Sequence, residues 1–214
     1  MLVIFDCDGV LVESEALAAQ AFSQVLARYE IVLSADECER LFIGKTLTQC
    51  IETLQQSYPG RLPGDFREQL DEASEALFAQ QLAPVQGVEA VLTAVRARGI
   101  ALAVASNGGL AKIQLNLTRT GLIDYFAANI VSAEHVPQPK PAPDVYLAAA
   151  EAQGVPAQFC CVVEDSNVGA LAGLSAGMRV LLFRPPWRTH HSPAPAGVEV
   201  FEDMQQLLGL ILRY

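Results

Sequence analysis

Leu2-Val3-Ile4-Phe5-Asp6-Cys7-Asp8-Gly9-Val10-Leu11-Val12-Glu13-Ser14 opens the chain with four apolar residues, then two carboxylates two positions apart, then a glycine. The apolar run does not alternate, so it reads as a strand buried on both faces. Asp6 falls where that strand ends, Asp8 just beyond it, and Gly9 lets the backbone turn tightly. By itself D-x-D-G is also a common solvated turn, and it half-matches a calcium loop. Asp6, Asp8, Gly9 and Glu15 would take that loop's third, fifth, sixth and twelfth positions. Ile4 would then be its first ligand, which an isoleucine side chain cannot be, and the preceding segment is no helix. What separates the stretch from a plain turn lies further along the chain.

The totals bound the answer. A length of 214 residues with 51% hydrophobic content allows one large domain, or a core with an inserted piece. A net charge of −10 argues against nucleic acid and anionic membrane as partners, since both need basic surface. The five cysteines (7, 38, 50, 160 and 161) are an odd number without metal-ligand spacing, and are read as reduced thiols. The first residues enter a strand at once, with no basic n-region. No apolar run approaches the length of a bilayer span. Together these predict a cytoplasmic protein, a monomer or weak homodimer.

Residues 14–29 read as a helix from apolar positions at helical spacing. Ser34-Ala35-Asp36-Glu37 is a capping box that starts another. Gly44-Lys45-Thr46 breaks it, residues 46–56 form a third, and residues 65–81 a fourth. From residue 84 onward the pattern alternates. Strands are predicted at residues 100–105, 129–132, 159–163 and 178–183, with a short one near Val198. Helices are predicted at residues 87–98, 110–120, from Pro143 to before Gly154, 167–176 and 203–212. That is an α/β chain: a doubly wound parallel sheet with helices on both faces. The helical residues 14–82 interrupt the alternation, so they read as an inserted all-helical cap on a core of residues 1–13 and 83–214.

In such sheets ligands bind at the carboxyl ends of the strands. Here those ends carry Asp6 and Asp8, Ser106 and Asn107, and Glu164 and Asp165. Four carboxylates in one crevice repel one another unless a cation sits among them. Oxygen ligands select a hard ion, magnesium foremost. Ser106 offers a hydroxyl, and Lys140, flanked by Pro139 and Pro141, a fixed positive charge. Metal and lysine would neutralise a phosphate while hydroxyl and backbone N–H groups orient it. Each residue also has a plainer reading. Ser106 and Asn107 could cap the following helix, Lys140 could be a surface lysine, and Glu164 a helix-start acid.

Four blocks stand in order: Asp6-Cys7-Asp8-Gly9-Val10-Leu11-Val12-Glu13-Ser14-Glu15, Ser106-Asn107, Lys140-Pro141 and Glu164-Asp165-Ser166. Over essentially its whole length the chain resembles the haloacid dehalogenase superfamily, in the subfamily with a helical cap after the first strand. The resemblance implies a Rossmann-like core and a phosphatase mechanism. Asp6 would be the nucleophile, giving an aspartyl-phosphate, and Asp8 the acid and base. Mg2+ would be held by Asp6, the Asp8 backbone carbonyl and Asp165, with Glu164 acting directly or through water. Gly9, Ser106, Asn107 and Lys140 would bind phosphate.

Asp8 speaks against a true dehalogenase, which needs no proton donor for a halide. Ala18 and Gly44-Lys45-Thr46 stand where a β-phosphoglucomutase would carry a histidine and an arginine, which favours a phosphatase. The expected substrate is a small phosphorylated metabolite such as the sugar phosphate 6-phosphogluconate. Phosphoglycolate, phosphomutase chemistry and a non-catalytic binding role are the alternatives. Glu15 and Lys45 are candidate substrate contacts in the cap, although a solvated helix face or loop suits each equally. His135, His190 and His191 lie in loops away from the blocks and carry no assignment.

Overall fold

A computed structural model describes residues 1–42, 47–126, 129–188 and 192–213. The chain divides into two compact units, one of Met1–Glu13 with Ala83–Tyr214, the other Ser14–Leu82.

The larger unit is built on a six-stranded parallel sheet. Its strands are β1 (Leu2–Phe5), β2 (Ala101–Ser106), β3 (Ile130–Ser132), β4 (Cys160–Glu164), β5 (Arg179–Phe183) and β6 (Glu199–Phe201). They lie in the order β3-β2-β1-β4-β5-β6. β1 is central because all four of its residues are apolar and buried, and a strand covered on both faces needs both. It pairs with β2 and β4 at once, Phe5 lying level with Val104 on one side and Val163 on the other. Chain direction across the sheet reverses between β1 and β4, and the crevice at such a switch point is where ligands bind.

Helices α5 (Val88–Arg96), α6 (Leu110–Arg119), α7 (Ile123–Phe126), α8 (Asp144–Ala152), α9 (Asn167–Ser175) and α10 (Met204–Ile211) accompany the strands. α9 approaches the sheet closely at Gly173, where a Cβ would lie 2.8 Å from Val180 Cγ2. The smaller unit holds α1 (Glu15–Ala27), α2 (Ala35–Phe42), α3 (Leu47–Ser57) and α4 (Phe66–Gln81) around its own core, which includes Phe22, Leu26, Leu54, Phe66 and Leu70. The capping box at its second helix forms: the Glu37 N–H donates to Ser34 Oγ and the Ser34 N–H to Glu37 Oε2.

The α/β architecture is the one the alternation implies, with local differences. The fourth strand starts and ends one residue later than predicted, because Pro156 leads into a 3-10 turn over Ala157–Phe159. Glu164 is therefore a ladder residue, level with Leu182, and not the first residue beyond the strand. Gly87 precedes α5 in a left-handed conformation at φ 85°, so the helix begins one residue later than read. The short α7 and a 3-10 turn at Ala133–His135 carry too little periodicity to be read from sequence. All five cysteines are buried, with no disulfide among the described residues. Within those residues no helix is long and apolar enough to cross a membrane.

Replacing Gly173 by alanine forces α9 away from β5. The substitution should destabilise the protein by about 1–3 kcal/mol, the usual cost of overpacking. Urea unfolding reads this directly; an unchanged midpoint would show that the helix has room.

Candidate active site

β1 delivers Asp6 at the level of Glu164 on the neighbouring strand: the Asp6 N–H donates to Val163 O at 2.9 Å. Beyond Asp6 the backbone folds back on itself. The Leu11 and Val12 N–H groups donate to Cys7 O, and the Gly9 N–H to Val12 O. Gly9 sits at φ 77°, a left-handed conformation, and a Cβ there would overlap the Asp165 carboxylate. The glycine is required twice, by its conformation and by the close approach of Asp165.

Lys140 lies at the centre. Its Nζ is 2.6 Å from Asp6 Oδ1 and 2.7 Å from Glu164 Oε1, and the residue is only 6% exposed. Asn107 fixes that lysine by its backbone: Oδ1 accepts from the Lys140 N–H and Nδ2 donates to the Lys140 carbonyl. The described side-chain contacts of Asn107 thus brace the lysine. Glu164 is similarly committed. Oε1 also accepts from the Tyr146 hydroxyl, while Oε2 accepts from the Asp165 N–H and from the Ser166 N–H and hydroxyl. Ser166 meanwhile caps α9 through the Gly169 N–H. Gly169 has no Cβ because one would collide with the Glu164 carboxylate.

Ser106 is buried at the end of β2, and its Oγ accepts from the Gly108 N–H at 3.2 Å. Asp8 is more exposed; its Oδ2 lies 3.3 Å from Lys112 Nζ on α6. Asp165 is half-buried with its side chain 7% exposed, and its Oδ2 accepts from Arg188 Nη1 at 2.9 Å. Oxygens of Asp6, Glu164 and Asp165 lie within 4.8 Å of one another. Three hard oxygen donors in that space fit a small divalent cation. Because Glu164 already accepts several hydrogen bonds, Asp6 and Asp165 are the side chains better suited to hold it. The Asp8 side chain belongs to Lys112 and not to this group. Glu15 is exposed in the first turn of α1, in the smaller unit, and Lys45 lies outside the described residues.

The electrostatics follow from burial. Desolvation pushes Asp6 up to about 7; Lys140 opposes this and Glu164 adds to it. Burial pulls Lys140 down, but Asp6 and Glu164 outweigh it and hold the ammonium well above its ordinary range. Burial likewise pushes Glu164 up, but Lys140 and the Ser166 hydrogen bonds keep it below the usual carboxylate value. Burial, with Glu164 beside it, raises Tyr146 and keeps it a neutral donor. Burial, followed by Asp8 and Asp6, raises the Cys7 thiol, so it is no nucleophile despite its position.

Three participants escaped the sequence reading: Lys112, Tyr146 and Arg188. Lys112 did leave a signal. It is a cation in the first turn of α6, where the helix dipole disfavours it, which points to a nearby anion. A tyrosine on a helix and an arginine in a polar loop give no such hint.

Residues 3–183 match the family model of the haloacid dehalogenase-like hydrolases. The chain belongs to this family. It is 32% identical over 182 residues to the 6-phosphogluconate phosphatase of Escherichia coli K12, spanning 85% of this chain and 81% of that protein. It is 31% identical over 185 residues to hexitol phosphatase A of the same organism, spanning 86% and 82%. A crystal structure of a family hydrolase from Deinococcus radiodurans R1, with bound phosphate and sodium, superposes with a TM-score of 0.84 at 30% identity, covering 99% of this chain and 95% of that one. In reaction class the protein is a phosphoric monoester hydrolase.

The raised proton affinity of Asp6 has a measurable consequence in metal-free protein. The folded state favours the protonated acid, so this contribution to stability is complete below the ordinary value of 3.8 and is lost as pH rises through about 7. In the presence of a chelator, Asp6→Asn should gain in melting temperature relative to wild type as pH climbs across that window. A difference that stays flat or shrinks would contradict the raised value.

Proposed function

We propose that this hydrolase releases phosphate from a small sugar phosphate, with 6-phosphogluconate the leading substrate, and uses Mg2+ as its cofactor. The observation that carries this reading is Asp6 and Asp165 at the ends of adjacent strands, with buried Lys140 between Asp6 and Glu164.

An Asp6 oxygen attacks phosphorus, the bond to the sugar oxygen breaks, and Asp8 gives that oxygen its proton. The aspartyl-phosphate on Asp6 is then hydrolysed: Asp8 takes a proton from water, the water oxygen joins phosphorus, and the Asp6 carboxylate is released. Lys140 offsets charge on the phosphoryl oxygens and the Ser106 hydroxyl orients them, whereas the Asp6 and Gly9 N–H groups are already given to Val163 O and Val12 O. When bound by Asp6, the Asp8 carbonyl and Asp165, Mg2+ would supply the positive charge that lets an anion approach an anion. Glu164 and Asn107 serve as braces for Lys140.

Two features support the finer substrate. The 6-phosphogluconate phosphatase is among the relatives that share most of this chain. Lys112, whose side chain is 48% exposed beside Asp8, also gives the rim a cation beyond the phosphate pocket. The carboxylate of a substrate bearing one as well as a phosphate would pair with it more strongly than the hydroxyls of a hexitol phosphate. Residues 14–82 act as the cap, with Glu15 and Lys45 its candidate substrate contacts.

A phosphate-ester panel tests the reading. We expect Mg2+-dependent phosphate release, fastest from 6-phosphogluconate, abolished by chelation and reduced at least about a thousandfold in Asp6→Asn. Inactivity of Mg2+-loaded protein across the panel, or substantial turnover by Asp6→Asn, would overturn it. Isomerisation of glucose 1-phosphate in the presence of a sugar bisphosphate would show a mutase instead.

A further inference from the structure

The loop after β5 sends a buried arginine into the rim, and the reaction as written gives it no part. Arg188 is 8% exposed. Its Nη1 donates to Asp165 Oδ2 at 2.9 Å and its Nη2 to Glu13 Oε2 at 3.0 Å. Asp165 lies against the backbone of Gly9, where a Cβ would also come within 3.0 Å of Arg188 Nη1. The carboxylate is thus enclosed by glycine backbone and guanidinium. The loop itself is anchored: Arg184 Nη2 donates to Asn167 Oδ1, and Asn167 Nδ2 to Pro193 O.

We infer that Arg188 is a positioning residue for the divalent cation, one that fixes the Asp165 carboxylate by bridging it to Glu13 and so sets metal affinity. This rests on the proposed metal site at Asp6 and Asp165. Groups that orient a ligand from behind are commonly worth about 10–100-fold in metal affinity. A cation beside a cation site normally opposes binding, and here Glu13 cancels that penalty. The Glu13–Arg188–Asp165 chain carries the same net charge as Asp165 alone, so the carboxylate is oriented without losing its attraction for metal. The arrangement also demands arginine. Here each carboxylate meets its own nitrogen of the planar fork, whereas a lysine would have to bring one nitrogen to both, as Lys140 does where its two acids stand side by side.

Calorimetric titration of MgCl2 into metal-free protein tests this without any turnover. Wild type should bind. Arg188→Met should bind about 10–100-fold more weakly, and Arg188→Lys should recover only part of the loss. Glu13→Gln, which keeps the arginine but removes its compensating charge, should also bind more weakly, and it tests the inference should Arg188→Met fail to fold. Arg98→Met, which removes an arginine behind α5 whose Nη1 donates to Ala94 O, should leave affinity unchanged. Trp187, the single tryptophan, stacks edge-on near Phe183 with 54% exposure and reports on the loop by fluorescence during the titration. Wild-type binding with an equal or tighter Arg188→Met overturns the positioning role alone. Absence of Mg2+ binding by folded wild type overturns the metal site and this inference with it.

Discussion

The pair of contacts from one buried ammonium, Lys140 to Asp6 and to Glu164, is the constraint around which the larger unit is arranged. Charge buried without a partner is costly enough that a protein would neutralise the group instead. Here the two acids stand at the same height, Asp6 just beyond β1 and Glu164 at the end of β4, so a lysine arriving from a third segment meets both. Everything nearby serves that meeting. Asn107 grips the lysine by its backbone, Tyr146 and Ser166 occupy the remaining lone pairs of Glu164, and Gly169 gives way to it. The sheet order matters because it makes β1 and β4 neighbours despite more than a hundred intervening residues. Parallel pairing matters because it brings both strands to the same rim ending in acid.

This explains what could be read from the residues alone. Strands buried on both faces announce themselves as unbroken apolar runs, and each run ended in polar residues. The α/β architecture and the set of polar residues at the strand ends were therefore legible together. Their division of labour was not. Whether Asn107 faces a ligand or the back of Lys140 depends on a loop more than thirty residues away. Glu164 ends its strand as a ladder residue because a proline upstream shifts the strand by one, which no periodicity reports. Arg188 reaches Glu13 across 175 positions of sequence, from a loop whose composition suggests only solvent. Lys112 is the intermediate case, betrayed by sitting at the wrong end of a helix dipole.

The charges at this rim do not balance among the described residues. Asp6, Asp8, Glu13, Glu164 and Asp165 face Lys112, Lys140 and Arg188, a surplus of carboxylates over cations. Without a further positive charge the surplus favours uptake of a proton, and the acid whose proton affinity rises is Asp6, buried beside Glu164. A protonated carboxyl is a poor nucleophile. The same surplus matches the charge of one divalent cation, and a cation beside Asp6 favours its ionised form. On the proposed mechanism, metal occupancy and readiness of Asp6 to attack are two aspects of one electrostatic condition. Glu164 stays ionised in either case, because Lys140 and the hydrogen bonds of Ser166 hold it so. The site separates one carboxylate whose protonation can respond to its surroundings from another whose charge is fixed, and that difference lets neighbouring acids of similar burial serve different ends.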